Sequence, residues 1–261
     1  MKISIIHNLY KANPYINESV RYNLKALETA RADYQYILFN DKGDKSIYDD
    51  IKDLTSDKVE YHYSTVNYGQ GKCSGGWVGA IPLLKGDLIH NTGQDDVFVA
   101  DFYNKCIETF LIEDNMFFSC NGIKTDENLN QIGPLIHPYH SPDYSRPLDR
   151  FKDWFGVTEN QVTQANNNLL APGTVYRKSV HTVIGEPSLN EFFGASDFEY
   201  WARMLFNELK GYYESTPLWL YRVSNFSISA SEKQVNNDHR PPYLEKIKQK
   251  YNILWKEKML S

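Results

Sequence analysis

The sequence predicts an α/β domain: a largely parallel sheet covered on both faces by helices. Two observations carry this. Short β-rich apolar runs alternate with helix-patterned segments through roughly the first 110 residues. Polar loops bearing Asp, Asn and Gly follow those runs at their carboxyl ends, which is where sheets of this kind bind ligands. At 261 residues the chain is long enough to bury a large core in one domain.

Each element follows in order. Residues 2–6 read as a buried first strand, too short for a signal peptide. Asn13-Pro14 marks a turn, and Ile16, Val20, Leu24 and Leu27 give helical spacing over 16–30. Residues 34–39 form a second strand, closed by Asn40-Asp41-Lys42-Gly43, and 48–54 suit a helix. Residues 59–63 alternate as a strand and lead into a Gly-rich segment, Asn67-Tyr68-Gly69-Gln70-Gly71-Lys72, that continues to Gly75-Gly76. A helix over 77–84 is predicted in spite of Pro82, then a strand over 87–90, a helix over 101–111 and a strand over 116–120. Between 124 and 168, Pro134, Pro138, Pro142 and Pro147 exclude long helices, so this stretch reads as a binding loop or lid. Residues 169–175 return as a strand, 192–209 as a helix led in by Gly194-Ala195-Ser196-Asp197, and 219–223 as a last strand. A lysine-rich amphipathic helix over 243–258 ends the pattern and suits peripheral contact with a membrane surface.

Composition narrows the function. A formal net charge of −5 argues against a nucleic-acid partner, which needs a basic face. No apolar run approaches a membrane span of about 18 residues. Cys73, Cys106 and Cys120 are odd in number and lack metal spacing, so free thiols and a cytoplasmic location are expected. Tyr, Phe and Trp number 19, 13 and 5, a richness that suits stacking on sugars or bases, although most such rings fill core and rim. His137 and His140 lie among prolines, which rules out helical metal-ligand geometry. The loop at Lys72 lacks the P-loop pattern, and no Gly-x-Ser-x-Gly elbow occurs.

The most informative stretch runs from Gly86 to Phe98, where Leu88-Ile89 leads through polar residues into Asp95-Asp96. Two adjacent carboxylates repel each other and lose solvation unless a cation or hydrogen-bond donors meet them. Oxygen ligands of this kind suit Mg²⁺ or Mn²⁺ held jointly with substrate phosphates. An exposed Asp-Asp turn is the commoner reading of the pair alone. Its neighbours argue otherwise, because the loops at Asp41, at Asn67–Lys72 and at Asp95-Asp96 should share one sheet edge.

The order of these features resembles a family 2 glycosyltransferase with the nucleotide-sugar-binding GT-A fold. The resemblance covers residues 1–230, roughly, and rests on co-linear pieces: Ser4-Ile5-Ile6 and its helix, the strand ending in Asn40-Asp41-Lys42-Gly43, Asn67-Tyr68-Gly69 with Lys72, Gly86-Asp87-Leu88-Ile89 leading to Asp95-Asp96, Ser196-Asp197 with Arg203, and Tyr221-Arg222 with Ser227 and Ser229. It implies a Rossmann-like mixed sheet in a single domain. Residues 1–115 would bind the donor, and 116–261, less regular, would hold the acceptor and the base.

By that resemblance Asp41 accepts hydrogen bonds from the base, and Asn67 and Lys72 belong to the donor site. Asp95 is the metal ligand of a DxD-like motif, with Asp96 supporting the site or the donor sugar. Asp197 is the general base of an inverting transfer, although its position also suits a first-turn or N-cap acid. Independently of the resemblance, His239 in the loop 236–240 is a candidate to close over the donor and complete the metal site. Apart from the resemblance, too, Arg222 and Arg240 suit a bidentate grip on diphosphate, although a surface ion pair is the default for either. The implied cofactors are Mn²⁺ or Mg²⁺ and a UDP-, GDP- or dTDP-linked sugar. The implied acceptor is a carbohydrate, as in polysaccharide biosynthesis. Three departures stand out: Gly93 replaces the usual first acid, Ser196 the usual Glu before the base, and His7-Asn8-Leu9-Tyr10 the usual Pro-Thr-Tyr-Asn. Two rivals remain, a sugar nucleotidyltransferase and a non-catalytic carbohydrate-binding protein. Residues 7–15 lack the glycines the first would need, and turnover separates the second from an enzyme.

Overall fold

A computed structural model describes residues 1–69, 75–112, 114–135, 143–159, 161–164, 173–188, 192, 195–226 and 240–260. Its first half is the expected alternation: β1 (Lys2–Leu9), α1 (Ile16–Thr29), β2 (Asp33–Asn40), α2 (Ile47–Ile51), β3 (Val59–Tyr63), α3 (Gly75–Ala80) and β4 (Leu88–Thr92). Side chains on β1 and β2 alternate between two cores. Ile3, Ile5, Tyr36 and Leu38 pack with Val20 and Leu27 of α1 on one face, while Ile6, Ile37 and Phe39 pack with Trp77 of α3 on the other. Strands buried on both faces need such continuous apolar runs.

After β4 come β5 (Val97–Phe98), α4 (Phe102–Phe110), β6 (Phe117–Thr125), β7 (Gln131–Leu135), α5 (Pro147–Phe155), β8 (Val175–Arg177), α6 (Val180–Ile184), α7 (Ser196–Phe206), β9 (Gly211–Arg222) and α8 (Arg240–Leu260). Among the described residues the strands form one sheet in the order β3-β2-β1-β4-β8-β6-β9-β5, with β7 paired to β6. The long ladders, β1 with β2 and β6 with β9, are parallel, and the short β5 and β8 add antiparallel pairs. A mostly parallel sheet flanked by helices in one domain is therefore both expected and found.

Of the four prolines in residues 124–168, Pro138 and Pro142 lie outside the described residues and Pro134 lies in β7. Pro147 stands at the start of α5, where its missing N–H costs nothing, and the nine-residue helix runs to Gly156 in the left-handed region. Pro82 ends α3, which passes into a 3₁₀ turn over Ile81–Leu83 instead of continuing. The last strand is also longer than predicted, because β9 borrows its register from β6 over twelve residues.

Register places the site. Leu9 pairs with Asn40 and His7 with Thr92, so β1, β2 and β4 end at one edge. Val97 pairs antiparallel with Leu220, and continuing that register by two residues sets Asp95 opposite Arg222. No helix of the described residues is long and apolar enough to cross a membrane.

Candidate active site

Asp41 sits directly after β2 and is buried. Its carboxylate oxygens accept the backbone N–H groups of Tyr68 at 2.8 Å and Gly69 at 2.7 Å, tying the loop after β2 to the loop after β3. Asn67, half-buried, immediately precedes those donors. A Cβ on Gly75 would lie 2.0 Å from Asp41 Oδ2, so glycine is what lets α3 begin against this carboxylate. Lys72 and His239 lie outside the described residues, as do Gly194, Ser227 and Ser229.

Asp95 and Asp96 bridge β4 and β5. Burial pushes both carboxyls above the usual range; the Asp95 charge pushes Asp96 further up, and the Arg222 charge pulls both down. Asp96 Oδ2 accepts the Gly93 N–H at 3.2 Å, whereas Asp95 Oδ2 is buried with no hydrogen-bond partner. A Cβ on Gly93 would stand 2.8 Å from Asp96 Oδ2. Gly93 thus contributes a donor N–H where the resemblance leads one to expect a carboxylate, and the loop has closed onto the space that carboxylate would need.

Arg222 ends β9 with a fully buried side chain. One Nη donates to Glu18 Oε2 at 2.6 Å, the other to the Glu127 carbonyl, and the guanidinium lies 4.4 Å over the Tyr15 ring. These bonds use two of the five guanidinium N–H donors, and Nε has no hydrogen-bond partner. Phe226 meets Tyr15 edge-on at 6.0 Å. Asp41 with its loop, and Asp95, Asp96 and Arg222, are thus gathered at the carboxyl edge. Asp197 stands on α7, which packs on the sheet face opposite α1. It lies in the first turn of that helix, where Oδ1 accepts the Phe198 N–H at 2.8 Å and the helix dipole favours the ionised form.

Among the described residues no group of three or more His, Cys, Asp or Glu forms a metal cage. The acid pair still fits Mg²⁺ or Mn²⁺ shared with a diphosphate. It offers oxygen donors only, one buried oxygen is bare, and a cation would offset the burial that raises both carboxyls and the Asp95 charge that raises Asp96 further.

Sequence reasoning missed Ser19 and Asn23, both fully buried on α1 and both hydrogen-bonded to the Asp96 carbonyl. The signal was there. Two polar residues spaced i,i+4 interrupt the apolar stripe of Ile16, Val20 and Leu27. His7 was also missed. Burial pushes its imidazole down to about 4, so the ring is neutral.

No protein-family model and no curated protein matches the chain. Solved structures do. S. aureus TarS 1–349 in complex with UDP-GlcNAc superposes with a TM-score of 0.58 at 12% identity, over 88% of this chain and 61% of that one. The same TarS fragment in complex with UDP gives 0.54 at 14% identity, over 95% and 69%. The mannosyltransferase PcManGT from Pyrobaculum calidifontis, in complex with GDP-Man and Mn²⁺, gives 0.57 at 12% identity, over 99% and 72%. The chain spans about three-fifths of the TarS fragment bound to UDP-GlcNAc. At these identities the likeness is one of fold: the chain has the mixed, mostly parallel α/β architecture of these nucleotide- and nucleotide-sugar-bound proteins.

Proposed function

We propose that the chain is a glycosyltransferase that moves a sugar from a nucleotide-diphosphate sugar to a carbohydrate hydroxyl, with inversion at the anomeric carbon. The observation that carries this is the buried Asp95-Asp96 pair, one oxygen bare, at the carboxyl edge of a sheet shared with nucleotide-sugar-bound structures. In this reading Asp41 and Asn67 receive the nucleoside, and Lys72 approaches the phosphates. Asp95, with Asp96 beside it and His239 closing over the donor, holds Mn²⁺ or Mg²⁺. Bound there, the ion supplies Lewis-acid stabilisation of the diphosphate leaving group.

The chain's own groups do the rest. Arg222 lends positive charge beside the acid pair. Asp197 takes the proton from the acceptor hydroxyl as that oxygen bonds to the anomeric carbon. The bond from that carbon to the donor phosphate oxygen breaks, and its electron pair leaves with the nucleoside diphosphate. Attack opposite the leaving group inverts the centre.

A thermal-shift panel of UDP-, GDP- and dTDP-sugars, each with and without Mn²⁺, tests this reading. A donor at about a hundred times its Kd stabilises the fold by about 2.7 kcal/mol. For a chain of this size that is a rise of roughly 5–10 °C. One matched donor should give that shift only with metal and should transfer sugar to an acceptor or to water. A panel with no shift and no turnover would sink the proposal, and binding without turnover would favour a carbohydrate-binding protein.

A further inference from the structure

Four buried side chains from three elements close a ring of hydrogen bonds around the acid pair. His7 Nε2 lies 3.2 Å from the Gln94 carbonyl, and His7 Nδ1 lies 2.8 Å from Tyr36 Oη. A carbonyl only accepts, so Nε2 carries the hydrogen, Nδ1 accepts from the Tyr36 hydroxyl, and that hydroxyl is free to accept in turn. Asn23 Nδ2 donates to it at 3.4 Å and to the Asp96 carbonyl at 3.1 Å, while Asn23 Oδ1 accepts the Phe98 N–H at 2.9 Å. Ser19, one turn earlier on α1, donates to the same Asp96 carbonyl. Every direction in the ring is fixed. All four side chains are 0% exposed.

The ring starts at Gln94 and ends on Asp96 and Phe98, so it holds the backbone on both sides of Asp95. Satisfied buried networks fix a single geometry. The Gln94 and Asp96 carbonyls and the Phe98 N–H are thus all held, while Asp95 Oδ2, between the anchored points, has no partner. We propose that this ring is the positioning device of the acid pair, with Asn23 its central member: it fixes the loop so that Asp95 presents a bare oxygen to a divalent cation. The cation part rests on the metal-assisted donor reading above.

The test uses the full chain with three substitutions. Asn23→Ala removes the central member. Tyr36→Phe removes one hydroxyl that touches neither carboxylate. Leu27→Ala, farther along α1 and fully buried, lowers stability without touching the loop. Mn²⁺ binding is read from the loss of the free-ion electron paramagnetic resonance signal, with UDP and with GDP in separate arms, well below each variant's Tm. Amide exchange at Asp96–Phe98 is read alongside. Asn23→Ala and Tyr36→Phe should weaken Mn²⁺ about 10- to 100-fold, the range for groups that orient metal ligands, and should speed exchange in the loop. Leu27→Ala should lower Tm with Mn²⁺ affinity unchanged.

Mn²⁺ affinity in Asn23→Ala and Tyr36→Phe equal to the parent's overturns the inference. A parent that binds no Mn²⁺ with either nucleotide overturns the metal reading, and loop exchange then decides the positioning role alone. Exchange no faster in Asn23→Ala than in Leu27→Ala overturns that as well.

Discussion

Arg222, at the end of the last strand, reaches the first turn of α1 and pairs with Glu18 at 2.6 Å. The guanidinium is fully buried whereas Glu18 is half exposed, so the pair is asymmetric. Replacing the acid strands a buried cation, but replacing the arginine leaves a carboxylate that water reaches. Glu18→Ala should therefore cost about 2–3 kcal/mol, somewhat below the fully buried case. Arg222→Met, which keeps the stem over Tyr15, should cost less. Urea denaturation orders the two variants, and the reverse order would mean that Arg222 is stabilised mainly by Tyr15, the Glu127 carbonyl and the charge of the acid pair.

The acid pair sets stability against binding. Burial raises both carboxyls, the Asp95 charge raises Asp96 further, and one oxygen has no donor. Asp95→Asn removes the repulsion and should leave Tm equal to the parent's or higher. The metal-dependent shift with a matched nucleotide should vanish. A lower Tm together with a retained Mn²⁺-dependent shift would make Asp95 a structural residue, and the pair an ordinary turn.

Asp197→Asn separates the two halves of the proposed mechanism. The amide keeps the shape of the first turn of α7 and can still accept the Phe198 N–H. Donor binding should survive while transfer falls by about two to four orders of magnitude, the usual worth of a general base. Transfer within a few fold of the parent would remove Asp197 from the chemistry.

What the sequence made legible, and what it hid, follows from how local each signal is. Strands β1 to β4 and helix α1 are set by their own apolar spacing, which the parallel register then uses. Val97-Phe98 becomes a strand only because β9 pairs with it, and three-residue β8 only because β4 and β6 flank it. Asp41, Asp95 and Arg222 stood out as candidates because charge at strand ends is conspicuous. Asn23 and His7 did not, because each sits inside an element whose apolar neighbours dominate the pattern. The Gly93 departure was legible in the sequence, but its role was not: its N–H serves Asp96.

His7 makes stability depend on pH in a stated direction. Burial holds its folded pKa near 4, against 6.5 ordinarily. As pH falls below about 6.5 the unfolded chain takes a proton that the folded protein refuses, so the His7 contribution is intact above that value and is lost towards pH 4. His7→Gln keeps a donor and an acceptor but does not titrate. The stability of the parent minus that of His7→Gln should drop by up to about 1.4 kcal/mol per pH unit within this window and stay flat above it. A difference that is flat throughout would mean that His7 is hydrated or takes its proton in the fold.

The lysines of α8 have inward partners that bear on its expected role at a membrane surface. Lys250 pairs with buried Glu199 at 2.8 Å and lies 4.9 Å over Phe192, and Lys258 pairs with Glu208 at 2.7 Å. Glu199 also holds Arg203 at 2.9 Å and receives the Tyr251 hydroxyl at 3.3 Å, so one carboxylate fastens α7 to α8 two residues after Asp197. Glu199→Ala leaves two cations without their counter-charge and should cost about 3 kcal/mol. Because α7 then loses its anchor beside Asp197, kcat should fall while nucleotide affinity, set by residues at the carboxyl edge of the sheet, holds. Lys246→Ala and Lys256→Ala change exposed positions and should stay within about 0.5 kcal/mol of the parent. Those two are exposed and can meet an anionic surface, whereas Lys248 is held by Glu245 of the same helix at 3.1 Å. If sedimentation with anionic vesicles is abolished by Lys250→Ala but not by the Lys246→Ala, Lys256→Ala double variant, the inward pairing is not the state that meets the membrane.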